Sequence, residues 1–207
     1  MLTELTIKDF ISKVISNDPV PGGGSVSALN GALAAALSAM VANLTVGRKK
    51  YAEVNDLMQE LSSRFEKLSQ KLIEDVDRDS DAYNRVFAAF KLPKETDEEK
   101  QLRSEAIQKE TKYAAQVPIE VARAVYEVLP QIDAIAQKGN SNAVTDACVS
   151  MMCARTAILG ALLNARINLT SIKDEAFVNA MREEADTIEA HTILQEQALL
   201  DYARTIL

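Results

Sequence analysis

Three consecutive glycines introduce the most apolar part of this chain. The run Pro21-Gly22-Gly23-Gly24-Ser25 leads into an alanine-rich segment, residues 25–46, which ends at Gly47-Arg48-Lys49-Lys50. Such a loop is favoured where positive φ angles, or close approach of another group to the backbone, are required. Ser25 is placed as the N-cap of the following helix, so free N–H groups would face an anion or a carbonyl. A tight turn before a core helix explains the same residues equally well.

The composition favours an all-α fold. Aromatic residues make up 5% of the 207 residues, and only 7 are glycine and 5 proline. The remainder is rich in good helix formers. We expect one domain over residues 1–207, a single-domain helical bundle. Residues 25–46 and 143–167 are apolar nearly all round and should form two central helices, with long amphipathic helices around them.

Capping and breaking residues predict where the other helices begin and end. We expect helices over residues 6–16 and 51–90, one from Thr96 that kinks or pauses before Pro118 and continues toward residue 138, and a last one that begins at residues 171–174. Asn140 or Ser141 is expected to cap the second apolar helix.

Charge and composition exclude several classes of partner. The net charge of −7 and a pI near 4.9 argue against nucleic acid. Residues 25–46 approach membrane-spanning length, but their many alanines and two asparagines favour a buried helix. The first ten residues carry no signal-peptide pattern, and Cys148 and Cys153 match no metal or redox spacing. We therefore expect a cytoplasmic protein with reduced core cysteines and no membrane partner.

Common phosphate and metal sites do not fit this sequence. The glycine run lacks the Gly-Lys-Ser/Thr of a P-loop, and no strand precedes it. His191 is the only histidine, which with two separated cysteines leaves no zinc site. His191 lies near the apolar edge of the last helix, and we expect it to be packed and not catalytic.

An aspartate interrupts the apolar seam of the long helix. Apolar residues recur every three or four positions, except between Val76 and Tyr83, where Asp79 fills the gap. A carboxylate on a buried face needs a partner or a chemical role, and burial would raise its pKa toward the range used for proton transfer. A structural ion pair or a polar gap is the alternative. The neighbouring Asp75, Asp77 and Asp81 fall off the stripe and are expected to be solvated.

Two further polar clusters accompany apolar helices. Arg48-Lys49-Lys50 follows the first apolar helix and either binds an anion or compensates the helix dipole. Gly139-Asn140 and Asp146 lie at the head of the second apolar helix, where Asp146 also favours the first helical turn. Small residues on the apolar helices allow close packing between helices or between subunits, so a homodimer is expected.

The order of these motifs resembles one known family. The resemblance rests on the glycine run, the helix ending in Gly-Arg-Lys-Lys-Tyr, Val76-Asp-Arg-Asp-Ser-Asp-Ala-Tyr83, Lys91-Leu-Pro-Lys94, Gly139-Asn140 with Asp146, and Asn168-Leu169. They resemble the cyclodeaminase domain of formiminotransferase-cyclodeaminase and its stand-alone bacterial relatives, some of which are methenyltetrahydrofolate cyclohydrolases. The resemblance implies an all-helical, dimeric enzyme that acts on a one-carbon tetrahydrofolate without a metal or another cofactor.

The resemblance also implies roles for individual residues. Asp79 matches the catalytic aspartate. The walls of the folate site would come from Gly22, Gly23, Gly24, Ser25, Tyr83, Gly139, Asn140 and Asp146, and Arg48 and Lys50 would suit the glutamate carboxylates of the substrate. The leading hypothesis is a formimidoyltetrahydrofolate cyclodeaminase, with a methenyltetrahydrofolate cyclohydrolase as the alternative. A helical folate-binding or interaction module without activity is the hypothesis of a different class.

Overall fold

The computed structural model describes all 207 residues and contains helices but no strand. The α-helices are α1 (Ile7–Ile15), α2 (Gly23–Asn43), α3 (Asn55–Phe90), α4 (Asp97–Tyr126), α5 (Leu129–Lys138), α6 (Val144–Leu169) and α7 (Glu175–Ile206). Short 3-10 helices cover Leu2–Glu4, Lys49–Val54 and Ser141–Ala143. The prediction of an all-α bundle is confirmed.

Three of the predicted helix starts carry the side-chain caps that the sequence indicates. Thr6 accepts a hydrogen bond from the Asp9 amide, and Thr96 forms a full capping box with Glu99. Asp174 caps α7 through the Phe177 amide. These caps satisfy amides that have no partner inside the helix, which explains why the helices begin there.

Two helix boundaries differ from the prediction. The long helix begins at Asn55 and not at Tyr51, because Tyr51 has non-helical dihedrals (φ −117°, ψ 24°) within a 3-10 turn. Pro118 lies buried inside a continuous α4, and the chain breaks only after Tyr126. Proline leaves the carbonyl four residues earlier without its amide partner. Here the Asn168 side chain donates to that carbonyl, on Ala114, at 3.1 Å, so α4 continues through the proline.

The two apolar helices form the centre of the bundle. α2 runs antiparallel to both of its neighbours, α3 and α6, and one cluster of 35 buried apolar residues joins the central helices to the others. Gly31 permits close packing in the core, since an added Cβ would lie 3.0 Å from Val125 and 3.1 Å from Leu72. The Ser38 and Ser150 hydroxyls hydrogen-bond each other at 2.8 Å across the α2–α6 contact. The expectation of two central apolar helices is therefore confirmed.

Both central helices nevertheless keep an exposed side. By length and composition, α2 and the stretch Ser141–Leu169 are apolar enough to cross a membrane, a test that core helices also pass. The bundle buries 61% of the α2 window and 50% of the second. Part of each apolar surface is thus left uncovered by this chain.

Candidate active site

Asp79 reaches from α3 to the first turn of α2. Its carboxyl group lies against the backbone of Gly24, so closely that a Cβ added there would overlap the carboxyl oxygens. The triple glycine therefore serves the close approach of another group, one of the two uses that the sequence indicates. None of the three glycines of the run has a positive φ angle, so the other use, a left-handed backbone conformation, does not apply here.

Ser25 is not the N-cap that we expected. α2 begins two residues earlier, at Gly23, with Gly22 as its N-cap, because the glycines themselves adopt helical geometry. The Ser25 side chain is fully buried and turns toward α3. Its hydroxyl lies 2.9 Å from the Val76 carbonyl, 3.1 Å from Asp79 Oδ2 and 3.0 Å from the Ser80 hydroxyl. Ser25 thus joins the glycine run to the aspartate.

Burial dominates the electrostatics of Asp79. Removal from water raises the pKa of its carboxyl, and the Ser25 hydroxyl and amide oppose this rise by stabilising the carboxylate. The positive end of the α2 dipole acts in the same direction as Ser25. Asp79 forms no salt bridge, so the structural ion pair considered above is absent. A half-buried, unpaired carboxyl with a raised pKa is suited to proton transfer.

The amide side chains of α6 form another wall of this centre. Asn164 lies against Gly23, where an added Cβ would come 2.8 Å from its Nδ2 atom. It is followed one turn later by Asn168, which supports the carbonyl beside Pro118. Sequence reasoning missed Asn164 as a site residue. Its signal was an asparagine pair four residues apart in an otherwise apolar helix.

Tyr83 lies one helical turn after Asp79 on α3. It is 40% exposed, and its ring stacks with that of Phe87 at 6.4 Å between centroids. The apolar seam of α3 therefore leaves the core after Asp79. An exposed aromatic pair beside a half-buried carboxyl offers a flat surface on which a ring can stack.

The acidic neighbours of Asp79 behave differently from the prediction. Asp75 is buried, with 3% of its surface exposed, and pairs with Lys71 at 2.6 Å and Arg78 at 3.2 Å. Asp77 is partly buried because its carboxylate accepts a hydrogen bond from the Thr3 hydroxyl at 2.7 Å. Of the three acids expected in solvent, only Asp81 is exposed.

A second polar cluster lies at the other end of α2. Asn140 donates from its amide to the Thr45 hydroxyl at 2.8 Å and from its side chain to the Leu44 carbonyl at 3.3 Å, so it closes the C-terminus of α2. Gly139 is needed there because a Cβ would meet the Ile135 carbonyl. Asn140 also caps the 3-10 turn that precedes α6. The prediction that Asn140 or Ser141 caps the second apolar helix is wrong, because this turn intervenes and α6 begins after Ala143 without a side-chain cap.

Basic residues border this second cluster. Lys50 lies 3.4 Å from the Ser141 hydroxyl and over the ring of Tyr51. The Ser141 hydroxyl and amide hold the Tyr51 phenol and lower its pKa to about 8. Arg48 is exposed, and Asp146 is half-buried in the first turn of α6. This end presents fixed positive charge to solvent.

One chain does not bring the two predicted parts of the site together. Gly22–Ser25, Asp79 and Tyr83 meet at the N-terminus of α2, whereas Arg48, Lys50, Gly139, Asn140 and Asp146 lie at its C-terminal end. The 21 residues of α2 span about 30 Å at 1.5 Å per residue. Within one chain, the second group cannot line the surroundings of Asp79.

The remaining candidates lie away from Asp79. His191 is exposed, so the expectation that it is packed is wrong. The Tyr126 hydroxyl lies 2.9 Å from His191 Nδ1. Cys148 and Cys153 are free thiols, and only Cys148 is buried.

Comparison with known proteins identifies the family to which this chain belongs. Residues 6–187 match the family model described as formiminotransferase-cyclodeaminase. The chain belongs to the formiminotransferase-cyclodeaminase family. The resemblance found in the sequence is therefore confirmed, and the helical bundle described above is the fold of a member of this family.

Relatives of this family differ in length and in name. The methenyltetrahydrofolate cyclohydrolase of Methylorubrum extorquens is 37% identical over 185 residues, which cover 89% of both chains. The formimidoyltransferase-cyclodeaminase of Rattus norvegicus is 33% identical over 90% of this chain, which spans about a third (35%) of that protein. The solved structure of formiminotetrahydrofolate cyclodeaminase from Thermotoga maritima superposes with a TM-score of 0.88 and 30% identity, covering 100% of this chain and 99% of the other.

Proposed function

We propose that this protein is an enzyme that interconverts one-carbon forms of tetrahydrofolate and uses Asp79 for proton transfer. The observation that carries the proposal is the half-buried, unpaired Asp79 carboxyl at the N-terminus of α2, with its pKa raised by burial. The substrate class comes from two relatives that this chain matches over nearly their whole length. Both are named for reactions of the one-carbon group between N5 and N10 of tetrahydrofolate.

Of the two reactions, we place hydrolysis of 5,10-methenyltetrahydrofolate first. The relative named for it matches this chain over 89% of both lengths. Water would add to the cationic methenyl carbon while the Asp79 carboxylate takes its proton. The tetrahedral carbon then breaks its bond to N5, which takes the proton back from Asp79, while the hydroxyl proton leaves to solvent as the formyl carbonyl forms, and 10-formyltetrahydrofolate results. The negative charge of Asp79 also stabilises the cationic substrate beside it.

Cyclodeamination is the second candidate, favoured by the name of the Thermotoga maritima protein that superposes over the whole chain. N10 of 5-formiminotetrahydrofolate would attack the carbon of the protonated formimino group, whose nitrogen already carries two protons, and ammonia would leave. Asp79 would accept the N10 proton and return it to the departing nitrogen. Both reactions pass through a tetrahedral carbon between N5 and N10, so the same carboxyl serves either.

Absorbance of the methenyl group tests the proposal directly. Purified protein is given 5,10-methenyltetrahydrofolate and, separately, 5-formiminotetrahydrofolate. We expect faster disappearance of the methenyl chromophore from the first substrate than in buffer. Faster appearance of the chromophore from the second identifies a cyclodeaminase. Rates equal to the uncatalysed ones with both substrates would contradict the proposal and favour a binding module.

The pH dependence of kcat/KM should follow the ionisation of the Asp79 carboxyl. As the base, Asp79 must be ionised, so activity falls as the pH falls through its pKa. Burial raises that pKa above the ordinary aspartate value of 3.8. We expect an acidic limb with its midpoint above this value.

Ser25→Ala should move this limb toward higher pH. The substitution removes the hydroxyl that lies 3.1 Å from Asp79 Oδ2 and stabilises the carboxylate. Ser27→Ala is the matched control, because the Ser27 hydroxyl donates to the Gly23 carbonyl at 2.7 Å and does not contact Asp79. An unmoved limb in Ser25→Ala would mean that another group sets the profile.

A further inference from the structure

The first turn of α2 receives two polar side chains, one from each of its main neighbouring helices. Asp79 of α3 lies against Gly24, and the Asn164 amide of α6 lies against Gly23. A Cβ on Gly24 would overlap the carboxyl group, and a Cβ on Gly23 would come 2.8 Å from Asn164 Nδ2. The two successive glycines therefore make room for two polar groups. The reactions proposed above use only the first of them, Asp79.

Hydrogen bonds within α6 fix the orientation of the Asn164 amide. Its Nδ2 atom donates to the Gly160 carbonyl at 2.8 Å. Because a carbonyl can only accept, the nitrogen and not the oxygen of the amide must face Gly160. The Asn168 side chain donates to the main-chain carbonyl of Asn164 at 2.9 Å and holds the backbone at this point. The amide is thus oriented before any ligand binds.

The oxygen of this amide is left without a donor. No group of the chain donates a hydrogen bond to Asn164 Oδ1, although Nδ2 is engaged. The buried side-chain atoms without a partner are Arg155 Nε and Gln195 Oε1, so the half-buried Asn164 keeps its oxygen open to solvent. An oriented acceptor of this kind, beside the proposed base, is suited to bind an N–H group of a ligand.

A glycine on α6 keeps the amide close to the first turn of α2. A Cβ on Gly160 would overlap the Ser27 hydroxyl. That hydroxyl donates to the Gly23 carbonyl at 2.7 Å. The two helices are therefore in direct contact one turn away from Asn164, and this contact sets how far the amide stands from the glycine run.

Asp79 and Asn164 are close enough to contact a single ligand. α3 and α6 both pack on α2 but make few contacts with each other, so the two side chains reach the turn from different sides. Consecutive Cα atoms are about 3.8 Å apart, and the contacts at Gly23 and Gly24 therefore place Asn164 Oδ1 within about 12 Å of the Asp79 carboxyl. A bicyclic ring with a hydrogen bond at each end fits this span.

We propose that the pterin ring lies across the first turn of α2 and that Asn164 Oδ1 accepts a hydrogen bond from its 2-amino group. This inference rests on the proposed function, which places N5 and N10 beside Asp79. Among the N–H donors of the pterin ring, the 2-amino group is the farthest from N5. It therefore points toward α6 when N5 lies beside α3.

This contact makes Asn164 a residue of binding and specificity. A ring without the amino group would leave Asn164 Oδ1 covered and unpaired, and a carbonyl in its place would set two acceptors against each other. The 2-amino group lies far from the reacting carbon, so the contact is equally strong before and during the reaction. Its loss should raise KM and leave kcat nearly unchanged.

Removing the amino group from the substrate and the amide from the protein tests the contact. The probes are 5,10-methenyltetrahydrofolate and its 2-desamino analogue. For the wild type, we expect the analogue to have a KM about five- to tenfold higher, as for one hydrogen bond. Asn164→Ala should raise the KM of the natural substrate by the same factor and no longer distinguish the two compounds. Equal discrimination by Asn164→Ala and the wild type would overturn the proposal, as would a lower kcat at unchanged KM.

Two further variants separate this effect from damage to the helix. Asn164→Leu keeps the size of the side chain without an acceptor, and it should lose the discrimination as Asn164→Ala does. Asn30→Ala is the matched control, because the Asn30 side chain also donates to the carbonyl four residues earlier, on Val26, at 2.9 Å. It lies about 10 Å further along α2 than Gly23. This variant should keep both wild-type KM values, and a loss of discrimination there would contradict a specific role of Asn164.

Binding of a folate that the reaction does not consume separates this inference from the proposed function. The probe is 5-formyltetrahydrofolate, titrated into wild type and Asn164→Ala in a calorimeter. We expect the variant to bind it about five- to tenfold more weakly. Weaker binding by the variant, without turnover of either folate by the wild type, would leave the contact correct and the proposed function wrong. Turnover by the wild type with equal affinities of both proteins would leave the function correct and the contact wrong.

Discussion

Asp79→Asn is expected to lower kcat by about 10³-fold, within the range that a positioned acid or base contributes. Asparagine keeps the size of the side chain and an oxygen that accepts the hydrogen bond from Ser25. It removes the ability to take and return a proton, and with it the negative charge that stabilises the cationic methenyl group. The measurement is kcat for the methenyl substrate at a pH above the acidic limb.

The same substitution should not destabilise the fold. Because burial raises the pKa of Asp79 in the folded state, folding favours its protonated form. The ionised carboxyl therefore costs stability once the pH exceeds the folded pKa, and this cost disappears as the pH falls below the unfolded value. At neutral pH, Asp79→Asn should melt at the same temperature as the wild type or higher, and the difference should shrink in acid.

Asp81→Asn provides the control for charge. Asp81 is exposed, lies two residues from Asp79 and forms no salt bridge. Its variant should keep wild-type activity and melting temperature. An Asp79→Asn protein with normal turnover would refute the role of Asp79 in proton transfer. It would also favour a folate-binding module whose carboxyl only closes the N-terminus of α2.

Periodicity was sufficient to find Asp79, because a carboxylate within an apolar seam is visible in the spacing alone. Ser25 and Asn164 were harder. Ser25 looked like an N-cap, and only the packing of α2 on α3 shows that its hydroxyl turns toward Asp79. Asn164 on α6 contacts Gly23 on α2. A contact between two helices that are distant in sequence has no signature in local sequence.

Helical geometry alone could have corrected two of the predictions that proved wrong. Lys71 and Arg78 stand four before and three after Asp75, so the spacing already predicts the ion pairs that bury it. The length of the first apolar helix also implies that the glycine run and Arg48 lie about 30 Å apart. A single chain therefore cannot place both of them in one pocket. The continuation of α4 through Pro118 could not be predicted in this way, because the Asn168 side chain that supports the helix there comes from α6.

Gly24→Ala is expected to lower kcat by about 10²-fold, the size of effect that a misplacement of about 1 Å produces. The added Cβ would overlap the Asp79 carboxyl oxygens. The end of a flexible side chain gives way more easily than a helix backbone, so the carboxyl moves from its position beside Ser25. The measurement is kcat, together with the midpoint of the acidic limb, which should shift once Ser25 no longer stabilises the carboxylate.

Stability separates this effect from simple damage to the fold. Gly24 lies inside α2 and has no positive φ angle, so alanine fits the backbone there. Within a helix, alanine is favoured over glycine by about 0.5–1 kcal/mol. The free energy of unfolding of Gly24→Ala should therefore be close to that of the wild type, measured by denaturant titration, while activity is lost.

The double variant Gly24→Ala/Asp79→Asn decides whether the alanine acts through Asp79. If displacement of the carboxyl is the whole effect, the double variant should be no slower than Asp79→Asn alone, because the base is already missing. Losses that multiply would mean that Gly24 makes a separate contribution, such as direct contact of its backbone with the substrate. The triple glycine would then have two uses, room for the aspartate and a surface for the pterin ring.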